Sequence, residues 1–348
     1  MAVYIVKPGD SLSAIAAKHG IASWQVLYNH PSNAAFRTLR PNPNLIHPGD
    51  KINIPGSPGS QPATNTPIPA AEQPKYAMAI IDGTGPGEDA KYIPSMKYSF
   101  CRQLGDALEP INLGKYWRGP GPAGFEVEGL AQSAYEYLLG VHRSNPSTRL
   151  MLAGYSRGAS AAILAAEHLE KNGNIPVDSL FLFDAVARHT ISGGEVIPAN
   201  VQFSRHVRRD LQATLVIKYE GSFSDAEIKG VSLTNSSNPM RPTFGNTGLT
   251  WRGNGDHLPA VPFAGSHGAL GGVGWSFVTE DPMCQVRVAS YMNAQLAARK
   301  VWHNLQSYRP DPTRRKLPGP NEFAFGMTLN ALLLMKHRFD VKKAGQVP

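Results

Sequence analysis

Cysteine is scarce: the 348-residue chain has only Cys101 and Cys284. Neither sits at metal-ligand spacing and the two make no disulfide framework, so no metal site is expected and the redox compartment stays open. Long apolar runs are missing too. No stretch approaches the roughly 18 consecutive apolar residues of a membrane span. The nearest, FAFGMTLNALLLM at 323–335, is short and holds Thr328 and Asn330. The opening MAVYIVKPGD has no basic region followed by an apolar one, so no standard signal peptide is expected. No GK[ST] follows the glycine-rich turn at 82–87, which excludes a phosphate-binding P-loop. Basic runs interleaved with aromatics are absent as well, which argues against nucleic acid as a partner. No cofactor is called for.

What remains is a chain able to bury a core. Its hydrophobic fraction is 42% and its charged fraction 17%. The formal net charge of +8 favours encounters with anionic surfaces such as phospholipid headgroups or wall acids, without choosing among them. The clearest boundary is GSPGSQPATNTPIPAAEQPK at 56–75, rich in Pro, Ser and Thr and without apolar period. It is expected to be an extended linker between two folding units. The expected division is 1–55, the linker 56–75, a main domain 76–308 and a Pro-rich, basic tail 309–348 packing on that domain. Apolar residues followed by lysines and arginines in the tail fit a helix packed on the core, or one lying at an anionic lipid surface.

Before the linker, VYIV at 3–6 alternates like a strand and Ser11 can cap a helix over Leu12–His19. Trp24, Val26, Leu27 and Tyr28 suit a second helix, and KINIP at 51–55 a closing strand that pairs antiparallel with the first. The order is β-α-α-β. YIVKPGDSLSAIAAKHGI with the closing LIHPGDKINIP resembles a LysM module over residues 3–55. That resemblance implies binding of N-acetylglucosamine-containing glycan, such as peptidoglycan, in a groove between two loops. The residues concerned are Gly9, Asp10, Ser11 and Leu12 on one loop and Asn44, Leu45 and Ile46 on the other. The stretch YNHPSNAAFRTLRPNPN is longer than in a typical glycan-binding module. It is similar to insertions in LysM-like modules attached to bacterial type VI secretion cargo, so a docking role stays open.

After the linker, YAMAII, TRLMLAGYS, DSLFLFDAV and ATLVIKYEG are continuous apolar strands alternating with helical patterns. That arrangement predicts a mostly parallel sheet covered on both faces, an α/β fold. GYSRG at 154–158 places Ser156 between a buried strand and an alanine-rich helix, the context a nucleophile elbow needs. The alternative is a tight packing turn with a helix-capping serine. A serine nucleophile needs a histidine base and a carboxylate to orient it. Asp184, after LFLF, and His267, in the glycine-rich GSHGALGG, are the first candidates. Asp210 and Asp256 are reserve acids and His257 the reserve base. His168 lies behind the elbow, and His189 and His206 have no supporting context. An oxyanion hole needs two N–H donors. Arg157 should give one, and Gly83 or Thr84, in DGTGPG, the other.

AIIDGTG, GYSRGA, LFLFDAV and GSHGALGG, in that order, resemble the α/β-hydrolase lipases of bacterial type VI secretion over residues 76–290. Ala269 departs from that family's pattern, which has an aspartate two residues after the histidine. The resemblance implies Ser156 as nucleophile, Asp184 as acid and His267 as base. It also implies a phospholipase of the A type acting as an antibacterial effector on a membrane surface, with a secretion-machine component and an immunity protein as partners. The expected route is synthesis in the bacterial cytoplasm, non-classical export, and action in the target cell's periplasm or membrane. An esterase of acylated wall glycan and a non-catalytic peptidoglycan-binding or secretion-adaptor protein are the alternatives. A lid is looked for at 222–260.

Overall fold

The computed structural model describes residues 2–7, 10–19, 21, 24–40, 46–54, 76–121, 123–187, 192–210, 212–219, 247–275, 278–308 and 338–343. The expected linker at 56–75, Gly9, Asn44, Leu45, His189 and the apolar segment 323–335 lie outside these residues, as does 222–246 of the expected lid region. Two compact units divide the chain, Met1–Glu72 and Gln73–Pro348.

The first unit pairs β1 (Ala2–Ile5) antiparallel with β2 (Lys51–Ile54), with Ala2 opposite Ile54. Between them run α1 (Leu12–Lys18), α2 (Trp24–Asn29) and α3 (Ala34–Leu39). The expected two helices are thus joined by a third, formed by the AAFRTL of the long insertion. Leu12, Ile15, Leu27, Phe36, Ile52 and Ile54 close the core. Asn33 explains how the insertion is held. Fully buried, its amide donates to the Leu27 and Asn53 carbonyls at 2.8 and 2.9 Å and accepts the Asn53 N–H at 2.7 Å. Arg40 adds a bidentate ion pair to Asp50 at 2.9 and 3.0 Å. Replacing Asn33 by Ala strands these backbone groups and should cost the unit about 2–3 kcal/mol. The expected readout is faster amide exchange at Ile52 and Ile54 in the full chain; unchanged protection there would refute this account of the insertion.

The second unit is built on a 7-stranded sheet, and every pairing in it is parallel. Its strands are β3 (Tyr76–Ile81), β4 (Gly114–Trp117), β5 (Arg149–Tyr155), β6 (Ser179–Phe183), β7 (Phe203–Arg209), β9 (Asp256–His257) and β10 (Val261–Phe263). The order across the sheet is β10-β7-β6-β5-β3-β4, with β9 beside β7. This is the α/β architecture expected of the sequence, a mostly parallel sheet with helices on both faces. Alternate residues face opposite layers, as the two-residue strand period requires. Met78, Ile80, Met151, Phe181 and Phe183 pack with α4 (Asp89–Met96), α5 (Phe100–Leu108) and a C-terminal helix. Ala77, Ile81, Leu152 and Leu180 pack with α6 (Val127–Ser144) and α7 (Arg157–Lys171). The small Ala159, Ala161, Ala162, Ala165 and Ala166 are all buried and let α7 lie close to the sheet.

Two expectations are corrected. The apolar ATLVIKY does form a strand, β8 (Thr214–Tyr219), but β8 is not in the central sheet. It pairs parallel with β11 (Arg338–Lys343), a strand where the basic tail was expected to be helical. The place in the central sheet goes to β7, FSRHVRR, whose polar sequence hides it. Its buried polar groups find partners. Arg205 pairs with Asp256 at 3.1 Å, and the Ser204 hydroxyl bonds His257 Nδ1 at 2.7 Å. The Ala185 N–H donates to His206 Nε2 at 3.1 Å.

Candidate active site

Strand β5 ends at Tyr155 and α7 begins at Arg157, so Ser156 alone makes the turn. Its backbone stands at φ 57 and ψ −127, a sparsely populated conformation for a residue with a side chain. Neighbouring backbone holds it there. The Ser156 N–H donates to Phe183 O at 3.0 Å, and its carbonyl accepts from Ala159 and Val186 at 3.1 and 3.0 Å. The glycines on either side are required by close approach. A Cβ on Gly154 would lie 2.5 Å from Ala159 Cα, and one on Gly158 would lie 2.5 Å from the Ile81 carbonyl oxygen. The serine side chain makes no helix-capping bond, which removes the packing-turn alternative its chief structural role.

The Ser156 hydroxyl faces His267 Nε2 at 2.8 Å, and His267 Nδ1 faces Asp184 Oδ2 at 2.6 Å. The carboxylate accepts from Nδ1–H, so Nε2 is left to accept the serine proton. Asp184 follows β6, with a positive φ of 42, and its N–H is held by the Val207 carbonyl at 2.7 Å. His267 opens a helical turn, α8 (His267–Leu270), capped by the Ser266 hydroxyl. Tyr155 backs the imidazole with its ring, at a centroid distance of 5.0 Å, and donates its hydroxyl to the His267 carbonyl at 3.0 Å. Ser156, Asp184 and His267 are each less than a tenth exposed.

Burial alone would push Asp184 up. The opposing positive charge of Arg209 and the bond from His267 outweigh it and hold the carboxyl well below the usual carboxylate range. Arg209 Nε lies 3.4 Å from Asp184 Oδ2, and both side chains are almost wholly buried. Burial also lowers His267 below its ordinary value, more than the bond to Asp184 raises it. The imidazole is therefore neutral, as a base must be, through the neutral pH range.

Asp82, at the end of β3, is the fully buried neighbour of the expected oxyanion loop. It accepts the Gly83 N–H at 2.7 Å, the Ser99 hydroxyl at 2.5 Å and the Tyr116 hydroxyl at 2.9 Å. Burial pushes its carboxyl up to about 6 against these donors. The Gly83 N–H is thus committed to Asp82, which corrects its candidacy as an oxyanion donor. Thr84 is the residue of that pair left for the role. Its hydroxyl oxygen is buried and has no hydrogen-bond partner among the described residues. Arg157 stands at the first helical position, whose N–H has no acceptor within the helix.

The reserve candidates lie elsewhere. Asp256 pairs with Arg205, His257 with Ser204, and Asp210 caps its own turn through the Gln212 N–H at 2.9 Å. His168 sits edge-on to Tyr135. His206, without context in the sequence, is buried and neutral, lowered to about 4 by burial, and props the loop after Asp184. Ala269, where the resemblance has an aspartate, is fully buried. Sequence reasoning missed Arg209, Asp82 and Tyr155; Tyr155, the variable position of GYSRG, and Asp82, the first residue of DGTGPG, were within motifs, and Arg209 was not. Among the described residues no cluster of three or more His, Cys, Asp or Glu could hold a metal ion, and no helix is long and apolar enough to cross a membrane.

In the first unit, Asp10 accepts from the Tyr4 hydroxyl and the Lys7 N–H, both at 2.8 Å, and Ser11 caps α1 through the Ala14 N–H at 3.2 Å. Leu12 is buried, and Ile46 packs against the same core. Of the expected glycan loops, Asp10 and Ser11 are thus engaged in local turns. Residues 4–27 match the LysM domain family model. A search among curated proteins returned no match. Among solved structures, the chain is similar to a cutinase-like protein from Cryptococcus sp. at 20% identity and a TM-score of 0.22, over 31% of this chain and 53% of that one. It is similar to the RedJ thioesterase of Streptomyces coelicolor prodiginine biosynthesis at 21% identity and a TM-score of 0.21, over 38% and 50%. A type II thioesterase of the yersiniabactin pathway, YbtT, matches at 16% identity and a TM-score of 0.21, over 50% and 57%. The chain therefore spans little more than half the length of these structures. At such TM-scores the likenesses carry no argument, and the reading of the site rests on its own geometry.

Proposed function

We propose that the second unit is a serine-dependent ester hydrolase and that its substrate is the acyl ester of a phospholipid. The observation that carries the reading is the chain of bonds from Asp184 through His267 to a serine held on a strained turn. In this reading Ser156 Oγ attacks the ester carbonyl while His267 Nε2 takes its proton. The developing oxyanion is met by the Arg157 N–H and by Thr84, through its N–H and the hydroxyl beside it. Collapse of the tetrahedral intermediate expels the alcohol, the lysophospholipid, which leaves with the proton from His267. Water, deprotonated by the same imidazole, then cleaves the acyl-enzyme and frees the fatty acid. Asp184 keeps its charge throughout and steadies the imidazolium.

The formal net charge of +8 supports an anionic membrane surface as the place of action. The finer setting, an antibacterial effector of the phospholipase A type with a secretion-machine component and an immunity protein as partners, rests on the sequence resemblance. So does action in a target cell after non-classical export. The match at residues 4–27 favours a second reading, in which the LysM segment brings the esterase to acylated wall glycan.

The test is fatty-acid release from mixed phospholipid vesicles, run beside acetate release from acetylated peptidoglycan, with the wild type and Ser156→Ala. Serine-dependent release from vesicles supports the phospholipase; release from peptidoglycan alone moves the substrate to glycan. No release from either, by a folded protein that also fails to react with a fluorophosphonate probe, refutes the hydrolase. The lowered His267 fixes the pH profile as well. Activity as kcat/KM should be flat through neutrality, with its acid limb below the ordinary histidine value of 6.5. An acid limb above pH 7 would exclude His267 as the base.

A further inference from the structure

The loop carrying the imidazole is tied at both shoulders to a single buried carboxylate. Asp281 is the first residue of α9 (Asp281–Ala298), and it is fully buried. Its Oδ1 accepts the Ser266 N–H at 2.7 Å, and its Oδ2 accepts the Ser266 hydroxyl at 2.6 Å and the Trp275 N–H at 2.7 Å. Ser266 precedes His267, and Trp275 closes the loop on its far side. One helical turn further on, Gln285, 1% exposed, accepts the Gly274 N–H at 2.7 Å. The two acceptors stand at i and i+4, on one face of one helix.

The loop between these ties holds Gly268, Gly271, Gly272 and Gly274. Gly272 adopts a φ of +84, and a Cβ on Gly271 would run into the Tyr155 ring. Such a segment has much backbone freedom to lose. Yet His267 must meet two partners at 2.8 and 2.6 Å, a fit that tolerates errors of about half an ångström. All of Asp281's partners are donors, so an ionised carboxylate accepts every one of them, whereas an amide side chain would turn an N–H towards one. Burial pushes the Asp281 carboxyl up to about 6, against the bonds from Ser266 and Trp275. No reacting atom touches Asp281. It acts through Ser266 and Trp275.

We infer that Asp281, seconded by Gln285, is the positioning residue that sets the His267 imidazole between Ser156 and Asp184. This inference rests on the hydrolase reading above, and the experiment separates the two. Asp281→Asn, Asp281→Ala and the milder Ser266→Ala are compared with the wild type in the full chain. The assays are hydrolysis of a soluble p-nitrophenyl acyl ester, the rate of Ser156 labelling by a fluorophosphonate, and the far-downfield proton resonance of the His267–Asp184 bond. In the Asp281 variants kcat should fall by on the order of 10²-fold with KM nearly unchanged, since a small misplacement carries that effect. Labelling should slow in parallel, and the downfield resonance should broaden or move. Ser266→Ala should show the same pattern at smaller amplitude, and it carries the test if the Asp281 variants do not fold. Folded variants with wild-type labelling and an unmoved resonance would overturn the positioning role. So would a loss of kcat with the resonance unmoved. A wild type that is itself never labelled would overturn the hydrolase reading instead.

Discussion

Ser156→Ala should lower ester turnover by about 10⁴- to 10⁶-fold while leaving the fold intact. The substitution deletes one oxygen. That oxygen makes no helix cap, and its partner is the His267 ring. The neighbouring glycines, the backbone bonds to Phe183, Ala159 and Val186, and the positive φ are unchanged in the variant. Stability should therefore stay within about 1 kcal/mol of the wild type, since no buried partner other than the imidazole loses a bond. The measurement is fatty-acid release from vesicles beside a thermal melt of each protein. Turnover within tenfold of the wild type would remove Ser156 from the chemistry. A large drop in the melt would make the serine a structural residue after all.

The largest effect on stability is expected at Arg209. This guanidinium is 1% exposed and faces Asp184, itself almost wholly buried. Breaking a buried pair by removing one member costs about 3–5 kcal/mol, because the other charge is left without compensation. Arg209→Met should therefore destabilise by that amount at neutral pH, and the loss should depend on pH with a definite sign. In the wild type the Asp184 carboxyl lies below its ordinary value. Its contribution is present above the unfolded value of about 3.9 and is lost as pH falls further. Without Arg209 the burial penalty is far less opposed and the carboxyl rises. A raised carboxyl contributes most below its unfolded value and loses that contribution as pH climbs. The gap between the two proteins must then be small in acid and widen toward neutrality. Denaturant unfolding at pH 4 and pH 7 checks this; a gap of equal size at both would mean that Arg209 acts by packing alone.

The sequence was informative wherever the cause of structure is local. GYSRG announces its turn because the colliding atoms belong to the strand and helix on either side. Continuous apolar runs announced β3, β5 and β6 because both faces of those strands are covered. The strand β7 was illegible for the opposite reason. Ser204, Arg205, His206 and Arg209 look like surface residues until Asp256, His257, Gly248 and Asp184 arrive beside them from elsewhere in the chain. The strand β8 shows that an apolar run reveals a strand but not the sheet it joins, which depends on its partner at 338–343. Gly83 erred on a finer scale. Its N–H is taken by the side chain just before it, and a motif containing DGT does not say which way that carboxylate turns.

The reacting side chains enter the chain at 156, 184 and 267, and the acid that steadies the last of them follows at 281. A parallel sheet also delays assembly, since each strand must wait for a crossover before it finds its neighbour. At a synthesis rate of roughly 5–20 residues per second, Ser156 exists on the order of ten seconds before Asp281 does. On the proposed reading, a nascent chain throughout that interval carries its nucleophile without a seated base. The order of residues along the polypeptide thus works as a timer. On the proposed hydrolase reading, the His267 loop gains its tie to Asp281 only after the first residue of the helix 281–298 has been made.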